Sequence, residues 1–390
     1  MSANPVFDVA VVGGGVMGAT TALTLAGGGL KVVLCDRGGV SQGASGVNAG
    51  TLSLFYVEPP VVPYARRGRE LWGQTRDWLG ADVGVHDSGV LTLAFTEDEA
   101  ELLHRRMAER REHGADNEIV GANRAREIEP NINGRIVLAS YSPLEGMASS
   151  NMAGRAFRQA LAAAGVDLRE GWAVTGADRE GGAHVLKTPK GVIRATRVVL
   201  AGGAWSPIMA RWFGVELPFG CYVNTVSVTE RRPEKVHTHL GVVKRKLTLK
   251  QAANGSFLIG GGWQGIGGPE SAETRIIPSN LVGNLRLAQH VLPCLKGARI
   301  VRTWLGLQDK VIDNLPVVGP LPGVDDAYIL ACGLSGFTTG PIMGRLMAQV
   351  VLGQTPEMPV DLFSPARLIG KPKPGFGGVD DEQVAAAPSL

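Results

Sequence analysis

Cysteine is scarce in this sequence, and its distribution excludes one class of redox site. The four cysteines lie far apart and form no C-x-x-C pair: Cys35, Cys221, Cys294 and Cys332. Iron–sulfur clusters and structural zinc sites need closely spaced thiolates, so this spacing argues against either site within the chain. Three of the four lie in apolar surroundings, which are typical of buried thiols. We expect no metal site, and any electron relay beyond an organic cofactor would have to lie on a partner protein.

Long apolar runs, a leader and an excess of one charge sign are also missing. No apolar stretch approaches the roughly 20 residues that cross a bilayer. The first strand-like segment begins within a few residues of the N-terminus, which leaves no room for a secretory signal. The 39 basic and 36 acidic residues are interspersed and give a formal charge of +3. We therefore expect a cytoplasmic protein that binds neither nucleic acid nor a membrane.

Glycine, by contrast, is abundant, and three of its 54 residues form the motif G-x-G-x-x-G: Gly13, Gly15 and Gly18. A short apolar run, 9–12, precedes the motif, and a segment rich in Ala, Leu and Thr follows it as far as Gly27. A second apolar run, 31–35, ends at Asp36. Strand, glycine turn, helix and terminal acid in this order predict a complete βαβ nucleotide-binding unit.

The residue types of this unit suit a dinucleotide. Gly13 allows a tight turn, Gly15 lets the backbone approach a pyrophosphate, and Gly18 lets the helix pack close to the strand. The N–H groups at the start of the helix face the phosphates. Asp36 accepts hydrogen bonds from ribose hydroxyls and repels a 2′-phosphate, so NADP is disfavoured while NAD and FAD remain open.

A loop of small residues, SQGASGVNAG, follows at 41–50. Such a loop brings backbone N–H groups and hydroxyls close to a flat or anionic ligand. Together with the first motif, it resembles the signatures of the D-amino acid oxidase superfamily of FAD-dependent amine oxidoreductases. That family includes glycine and sarcosine oxidases and the β subunits of opine and hydroxyproline dehydrogenases. The resemblance implies that the cofactor is FAD.

Two C-terminal segments resemble another signature of the same family: LPVVGP at 315–320 and ACGLSGFTTGPIMG at 331–344. The pattern predicts a strand that enters a glycine loop and opens a helix. Pro341 suits the first turn of this helix, and Thr338 or Thr339 can cap it. The resemblance places the positive end of the helix at the pyrimidine edge of the flavin, where it stabilises negative charge on the reduced ring.

The resemblance implies an α/β fold with two domains. A discontinuous Rossmann-like FAD-binding domain is expected from residues 1–50, 145–215 and 301–370. A substrate domain with a mainly antiparallel sheet and helices is expected from residues 51–144 and 216–300. The remaining segment, 371–390, is rich in Gly, Pro and Ala and is expected to be a disordered tail.

Local patterns predict several elements within these domains. A helix is expected at 64–79 and short strands at 172–174, 242–250 and 256–261, with a hairpin turn at Asn254-Gly255. Basic residues alternate along 242–250, at Lys244, Lys246 and Lys250 with Arg245 between them. Such alternation is typical of a solvated strand face.

The resemblance also implies which residues contact FAD. They come from the first motif, the loop after it, the middle of the chain and the C-terminal loop. They are Gly13, Gly15, Val16, Met17, Gly18, Asp36, Arg37, Ser41, Gly43, Ala44, Ser45, Asn48, Ala49, Gly50, Val174, Gly202, Trp205, Gly333, Ser335, Gly336, Phe337, Thr338 and Thr339.

The substrate contacts depart from the family pattern. Many members hold the substrate carboxylate with an arginine just before the L-P-x-x-G segment, whereas this chain has Gln308 there. Gln308, Thr338 and Thr339 are the predicted substrate- and flavin-positioning residues. Three hypotheses remain open: a carboxylate held by another cation such as Lys310 or Arg245, a substrate without a carboxylate, or a site without activity.

The sequence predicts oxidation of a C–N bond in an amine, imino acid or N-substituted amino acid, with hydride transfer to flavin N5 and hydrolysis of the imine. The segment VVKRKLTLKQAANGSFLIGGGWQG resembles β subunits of multi-subunit amino acid dehydrogenases. One alternative is therefore an electron-transferring subunit whose partners carry iron–sulfur or flavin centres. Another is a non-catalytic FAD-binding protein. An NAD-dependent dehydrogenase is disfavoured, since the loop at 41–50 and the C-terminal signature have no role in that fold.

Overall fold

Two eight-stranded sheets and a two-stranded sheet organise the part of the chain that the computed structural model describes, residues 6–271 and 273–374. In chain order the strands are β1 (Val6–Val12), β2 (Val32–Asp36), β3 (Thr51–Leu52), β4 (Val90–Ala94), β5 (Glu118–Gly121), β6 (Leu138–Ser142), β7 (Gly146–Met147), β8 (Asp167–Glu170), β9 (Gly176–Glu180), β10 (Ala183–Thr188), β11 (Gly191–Leu200), β12 (Gly220–Arg231), β13 (His239–Val242), β14 (Thr248–Gln251), β15 (Ser256–Gly260), β16 (Ile300–Lys310), β17 (Val317–Pro320) and β18 (Ala327–Ala331). The helices are α1 (Val16–Gly27), α2 (Ala44–Val47), α3 (Val62–Gly73), α4 (Thr75–Trp78), α5 (Glu97–Glu112), α6 (Ala122–Ile128), α7 (Ser150–Ala163), α8 (Ser206–Arg211), α9 (Pro278–Val291) and α10 (Gly336–Val351).

The first sheet is built around the predicted nucleotide-binding unit. Its strand order is β17-β18-β11-β1-β2-β8, and the four pairs from β18 to β8 are parallel. Val11 and Leu34 lie in the apolar core on one face, while Ala10 and Val33 lie in the core on the other. Burial on both faces explains why β1 and β2 are continuous apolar runs. The predicted α/β class with a Rossmann-like domain is confirmed.

The second sheet is mainly antiparallel, as predicted. Its order is β16-β12-β15-β14-β13-β4-β6-β5, with β13 and β4 the parallel neighbours. One face packs under α9 in a core that includes Leu240, Leu249 and Leu287. The opposite face, called the inner face below, lies against the loop at 41–50, where Trp304 Nε1 donates to Val47 O at 2.8 Å.

Helices α1 and α10 pack against each other through glycines. A Cβ at Gly344 would lie 2.6 Å from Met17 O, and a Cβ at Gly340 would lie 2.5 Å from Val16 Cγ1. Thr21 Oγ1 donates to Gly344 O at 3.1 Å, which fastens the contact. The two helices therefore place their first turns side by side.

Three element predictions are corrected by the structure. The segment 172–174 is not a strand; the strand is β8, which pairs with β2 as far as Glu170 and ends there. The expected strand over 242–250 is two strands, because residues 243–247 form a connection between β13 and β14. The expected helix over 64–79 begins at Val62 and is interrupted at Gln74.

Two features of the packing differ from the predicted domain boundaries. Strand β16 pairs with β12 along its length, although residues 301–310 were expected in the FAD-binding domain. Helix α3 packs on α10, and its Tyr64 and Trp72 lie in the core beneath the first sheet. Both contacts join segments distant in sequence, which local patterns do not reveal. We propose that the third segment of the FAD domain begins after Lys310 and not at residue 301. We also propose that α3 and α4 belong to the FAD domain.

The predicted tail, 371–390, lies outside the described residues from 375 onward. Residues 371–374 have no regular structure, and Pro374 lies beside Gly220. No helix within the described residues has the length and apolar character to cross a bilayer. In the same part of the chain, no three His, Cys, Asp or Glu side chains are grouped as a metal would require.

Candidate cofactor and substrate site

The turn between β1 and α1 can be built only with glycine at two positions. Gly13 has φ +113°, and a Cβ there would lie 2.3 Å from Ala201 O. A Cβ at Gly18 would lie 2.0 Å from Gly13 O. Side chains at these positions would collide with backbone that has no room to shift. These contacts give the first and third glycines of the motif a steric reason.

The loop at 41–50 is fastened to the start of α1. Ser45 Oγ accepts a hydrogen bond from Val16 N at 3.0 Å. Asn48 orders the far end of the loop, since Nδ2 donates to Ser45 O at 2.7 Å and Oδ1 accepts from Gly50 N at 2.6 Å. Two segments predicted to contact FAD thus form one continuous surface.

The space beside this surface fits a dinucleotide pyrophosphate. A Cβ at Gly43 would meet no atom within 4 Å, and one at Gly15 would meet only Ser45 Oγ, at 3.1 Å. Both glycines therefore border open space. The N–H groups of Met17 and Gly18 lie in the first turn of α1, where they have no intrahelical acceptor and could donate to an anion. These residues would hold the pyrophosphate of FAD.

Three further residues predicted to contact FAD, Asp36, Arg37 and Trp205, lie close to the C-terminal end of β2. The Asp36 carboxylate accepts from Gly14 N and Gly38 N, each at 2.7 Å, so its position is fixed by backbone. The Arg37 guanidinium lies 3.6 Å from the centre of the Trp205 ring. Stacking of this kind brings together two segments that are 168 positions apart in sequence.

Two further residues predicted to contact FAD, Val174 and Gly202, come from the middle of the chain. Val174 is partly buried against the core of the first sheet. Gly202 precedes the short 3-10 helix 203–205, which carries Trp205. Their roles toward FAD remain predictions.

Helix α10 begins earlier than predicted. Ser335 lies in the left-handed region, with φ +53°, and the helix starts at Gly336. Thr338 and Thr339 are therefore inside the helix, and the prediction that either one caps it is wrong. Their hydroxyls bond to backbone instead: Thr339 Oγ1 donates to Ser335 O at 3.3 Å, and Thr338 Oγ1 donates to Thr51 O at 3.3 Å.

The sequence predicts Pro341 in the first turn of α10, but Pro341 lies in the second turn. Because proline has no N–H, the carbonyl of Phe337 loses its usual helical donor. Trp72 of α3 supplies a replacement, since its Nε1 donates to Phe337 O at 2.7 Å and its ring stacks on the Phe337 ring with centres 4.6 Å apart. A buried tryptophan thus completes the helix at the predicted FAD loop.

Gln308 ends a chain of three side-chain amides on the inner face. Gln264 Nε2 donates to Asn224 Oδ1 at 2.8 Å, and Asn224 Nδ2 donates to Gln308 Oε1 at 3.0 Å. Gln308 Nε2 then donates to Gly333 O at 3.1 Å. The chain connects the substrate sheet directly to the loop before α10.

Backbone groups fix the direction of this amide chain. Gln264 Oε1 accepts from Val223 N at 2.6 Å, and its Nε2 also donates to Gly262 O at 2.9 Å. A backbone N–H only donates and a carbonyl only accepts, so the Gln264 amide has one possible orientation, and each following amide adopts the same sense. Among residues 6–271 and 273–374, one N–H of Gln308 therefore has no acceptor and could donate to a ligand.

Asp309, the next residue of β16, holds the same loop from its other side. Its Oδ2 accepts from Cys332 N at 2.8 Å and from Gly333 N at 3.0 Å, and its Oδ1 accepts from the Cys332 thiol at 2.9 Å. Burial raises the pKa of the Asp309 carboxyl and of the Cys332 thiol. This anchor was not predicted from sequence. The signal that could have suggested it is the pair of apolar residues two positions away on either side, Leu307 and Val311, because they share a strand face with Asp309.

The two cations proposed from sequence lie in different places. The Lys310 ammonium lies 5.1 Å from the ring centre of Tyr222, the register partner of Gln308. Arg245 lies near α9, where its charge adds to burial in lowering the pKa of His290. Lys310, and not Arg245, is therefore on the side of the sheet that carries Gln308.

Lys250 is fully buried, so the prediction of a solvated face is wrong for this residue. Leu249 points into the core under α9, which turns Lys250 to the inner face. Its Nζ donates to Thr51 Oγ1 at 3.2 Å, and the fully buried His239 lies beside it on β13. Sequence reasoning missed this pair, because alternation along a strand does not say which face another segment covers.

Comparison with known proteins identifies the family. The family model described as DAO, FAD dependent oxidoreductase, matches residues 8–350. Glycine oxidase of Geobacillus kaustophilus (strain HTA426) is 30% identical over 375 residues, which cover 94% of this chain and 98% of that protein. Sarcosine oxidase subunit beta of Arthrobacter sp is 27% identical, covering 88% of this chain and 87% of its own length. L-proline dehydrogenase from P. horikoshii has a TM-score of 0.84 at 25% identity, with 93% of this chain and 98% of that chain covered.

These matches run through both sheets and both glycine loops. They confirm the family resemblance, the oxidoreductase class and the FAD cofactor that the motifs predicted. The chain belongs to the DAO family of FAD dependent oxidoreductases.

Proposed function

We propose that this chain oxidises the C–N bond of a small amine, imino acid or N-substituted amino acid and releases an imine that water hydrolyses. The amide chain that ends at Gln308 and Gly333 carries the proposal. It joins the inner face of the second sheet to the loop before α10, so a molecule bound at Gln308 would lie beside the flavin. The names of the relatives support the same chemistry, since glycine, sarcosine and proline are amino or imino acids.

Bound FAD supplies the hydride acceptor. The chain itself contributes position and charge. The first turn of α1 and the loop at 41–50 would hold the pyrophosphate, and the positive end of α10 would stabilise negative charge on a reduced cofactor. Thr338 and Thr339 would contribute through their place in the first turn, because their hydroxyls are bonded to backbone.

The substrate would meet a neutral donor where many relatives have arginine. The remaining Nε2–H of Gln308 suits a carboxylate or another acceptor oxygen, with roughly half the strength of a charged donor. Lys310 lies on the same side, near Tyr222. We therefore favour a carboxylated substrate held by an amide together with a nearby cation.

An anaerobic screen of the FAD-loaded protein tests the proposal. Loss of visible flavin absorption is followed with D- and N-methyl amino acids, prolines, opines and amines that lack a carboxylate. We expect bleaching by at least one carboxylated compound. Bleaching by carboxylate-free amines alone would contradict the favoured substrate class, and no bleaching by any compound would overturn the proposed reaction.

The relative named as sarcosine oxidase subunit beta is by name one chain of a larger enzyme. We propose that this chain, too, passes electrons to a partner subunit. After the substrate has reduced the flavin, an artificial electron acceptor should reoxidise the flavin quickly and oxygen should reoxidise it slowly. Rapid turnover with oxygen alone would show that no partner is needed.

A further inference from the structure

Lys250 and His239 form a buried basic pair on the inner face of the second sheet. Leu240 and Leu249 are register partners on β13 and β14, which sets His239 beside Lys250. Both side chains are fully buried. Burial lowers the pKa of Lys250 to about 7 and that of His239 well below its usual value, the latter with a contribution from Lys250.

The surrounding residues offer this buried basic pair few hydrogen-bond partners. Among residues 6–271 and 273–374, the Thr51 hydroxyl is the acceptor for Lys250 Nζ, and neither ring nitrogen of His239 has a hydrogen-bond partner. Tyr56, whose ring centre lies 6.4 Å from that of His239, donates to Leu247 O. Glu145, beyond Tyr56, is itself kept toward its neutral form because burial raises its pKa. A buried ammonium without an anion costs several kcal/mol, so a function is needed to explain its retention.

The missing anion is explained by where Lys250 lies. Its acceptor Thr51 directly follows the loop at 41–50, which is predicted to contact FAD. Thr51 O in turn accepts from Thr338 Oγ1 in the first turn of α10. Thr51 of β3 therefore lies between Lys250 and the first turn of α10, which is predicted to contact the flavin.

We infer that Lys250 is the internal counter-charge of the reduced flavin and binds a proton when FAD is reduced. The inference rests on the FAD cofactor and not on the identity of the substrate. It makes Lys250 a positioning residue, since it acts through its field and through Thr51.

The step is balanced in charge and atoms. Bound FAD would accept the hydride of the broken substrate C–H bond, one proton with two electrons, and would then carry one more negative charge. The neutral amine of Lys250 takes one proton from water and becomes an ammonium. Reduction therefore consumes two electrons and two protons, and reoxidation by the electron acceptor releases the proton of Lys250.

The pH dependence has a definite sign. Below pH 7 Lys250 is charged in both redox states and takes up no proton. Above pH 7 it is neutral beside oxidised FAD, and the charge on the reduced ring raises its pKa, so reduction draws in the second proton. His239 stays neutral throughout this range and does not contribute.

The experiment measures the midpoint potential of bound FAD between pH 6 and 9, by equilibration with reference dyes and without any amine. In the native protein the slope of potential against pH should become twice as steep above pH 7. In K250M the slope should keep the one-proton value at every pH. The reduction equilibrium of K250M at pH 7 should also shift about tenfold toward oxidised FAD, which corresponds to about 30 mV for a two-electron couple. The control K244M removes an exposed lysine from the connection between β13 and β14 and should behave as the native protein.

Equal slopes in the native protein and K250M would overturn the inference. If K250M failed to bind FAD, the native protein alone would still test the inference. A plot of its midpoint potential against pH without a change of slope near pH 7 would contradict proton uptake by Lys250. These outcomes do not depend on whether any amine reduces the flavin, so failure of the proposed reaction would be recognised separately.

Discussion

We propose that Gln308 determines, at the scale of one residue, which acceptor groups of a substrate the site recognises. Its amide is held by Asn224 on one side and by Gly333 O on the other, and backbone groups fix its orientation. An arginine would bring a permanent charge and a fork of donors, whereas this amide brings one free neutral donor. The contact therefore selects for an acceptor oxygen without requiring that it be charged.

Replacing Gln308 by Glu tests this contact with little change of shape. A carboxylate would face Gly333 O at about the same 3.1 Å without a proton to donate, and it would repel a substrate carboxylate. We expect KM for carboxylated substrates to rise at least about tenfold, which corresponds to about 1.4 kcal/mol, with a smaller change in kcat. Steady-state kinetics with carboxylated and carboxylate-free amines measure the difference.

The matched control is Gln354→Glu, which makes the same charge change at an exposed position after α10. It should leave KM unchanged for every substrate. An equal rise in KM for carboxylate-free amines in Q308E would contradict recognition of a carboxylate and would indicate a general disturbance of the loop at Gly333.

Gln308 and Lys250 differ in how far their roles could be predicted. The motif around Gln308 aligns with the family signature, so its position at the site follows from sequence resemblance alone. Lys250 has no such signal, since its alternating neighbours indicate only that a strand has two faces. Its burial comes from the packing of β3 and its loop on the inner face, a contact between residues 199 positions apart.

At the scale of elements, α10 depends on a donor from another helix. Pro341 removes one N–H from the helical ladder, and Trp72 of α3 restores a partner for Phe337 O. Phe337 lies in the predicted FAD loop, so this bond joins the stability of α10 to the geometry of the cofactor site.

Replacing Trp72 by Phe should therefore affect both stability and cofactor binding. The substitution leaves the buried carbonyl of Phe337 without a donor, which costs about 1–3 kcal/mol. We expect a lower midpoint in denaturant for the FAD-loaded protein and a weaker FAD affinity. Denaturant unfolding and fluorescence titration of the apoprotein with FAD measure the two effects.

Trp78 provides a control, because its Nε1 also donates to a backbone carbonyl, that of Leu71, at 2.8 Å. Trp78→Phe should lower stability while leaving FAD affinity unchanged. Equal losses of FAD affinity in both variants would show that the effect comes from general loosening of α3.

The first residue of α10 could not be predicted from local sequence preferences. Thr and Pro are good predictors of a helix start, and they indicated a cap at Thr338 or Thr339 with Pro341 in the first turn. The helix begins instead after Ser335 in a left-handed conformation that no local residue type demands. Asp309 and Gln308 of β16 bond to Gly333, and these long-range contacts at the loop before the helix are not visible in the local sequence.

At the scale of the whole molecule, the two eight-stranded sheets meet at the loop at 41–50 and at the loop before α10. The class of each sheet followed from sequence, because buried parallel strands and a hairpin with Asn-Gly have distinct local patterns. The partition of β16 and α3 did not, since it depends on pairing with β12 and packing on α10. The segments predicted to contact FAD lie where these parts meet, so FAD should act as a structural ligand as well as a cofactor.

Removal of FAD should therefore loosen a defined part of the molecule. A ligand present at a thousand times its Kd stabilises the folded state by about 4 kcal/mol. In hydrogen exchange, amides of 13–18, 41–50 and 333–338 should lose protection in the apoprotein and regain it when FAD is added. Leu91 and Leu93 on β4, buried in the core under α9, should exchange equally slowly in both states and serve as the internal control. Uniform loss of protection across both sheets would instead mean that the fold requires FAD throughout, and unchanged exchange at the two glycine loops would place FAD elsewhere.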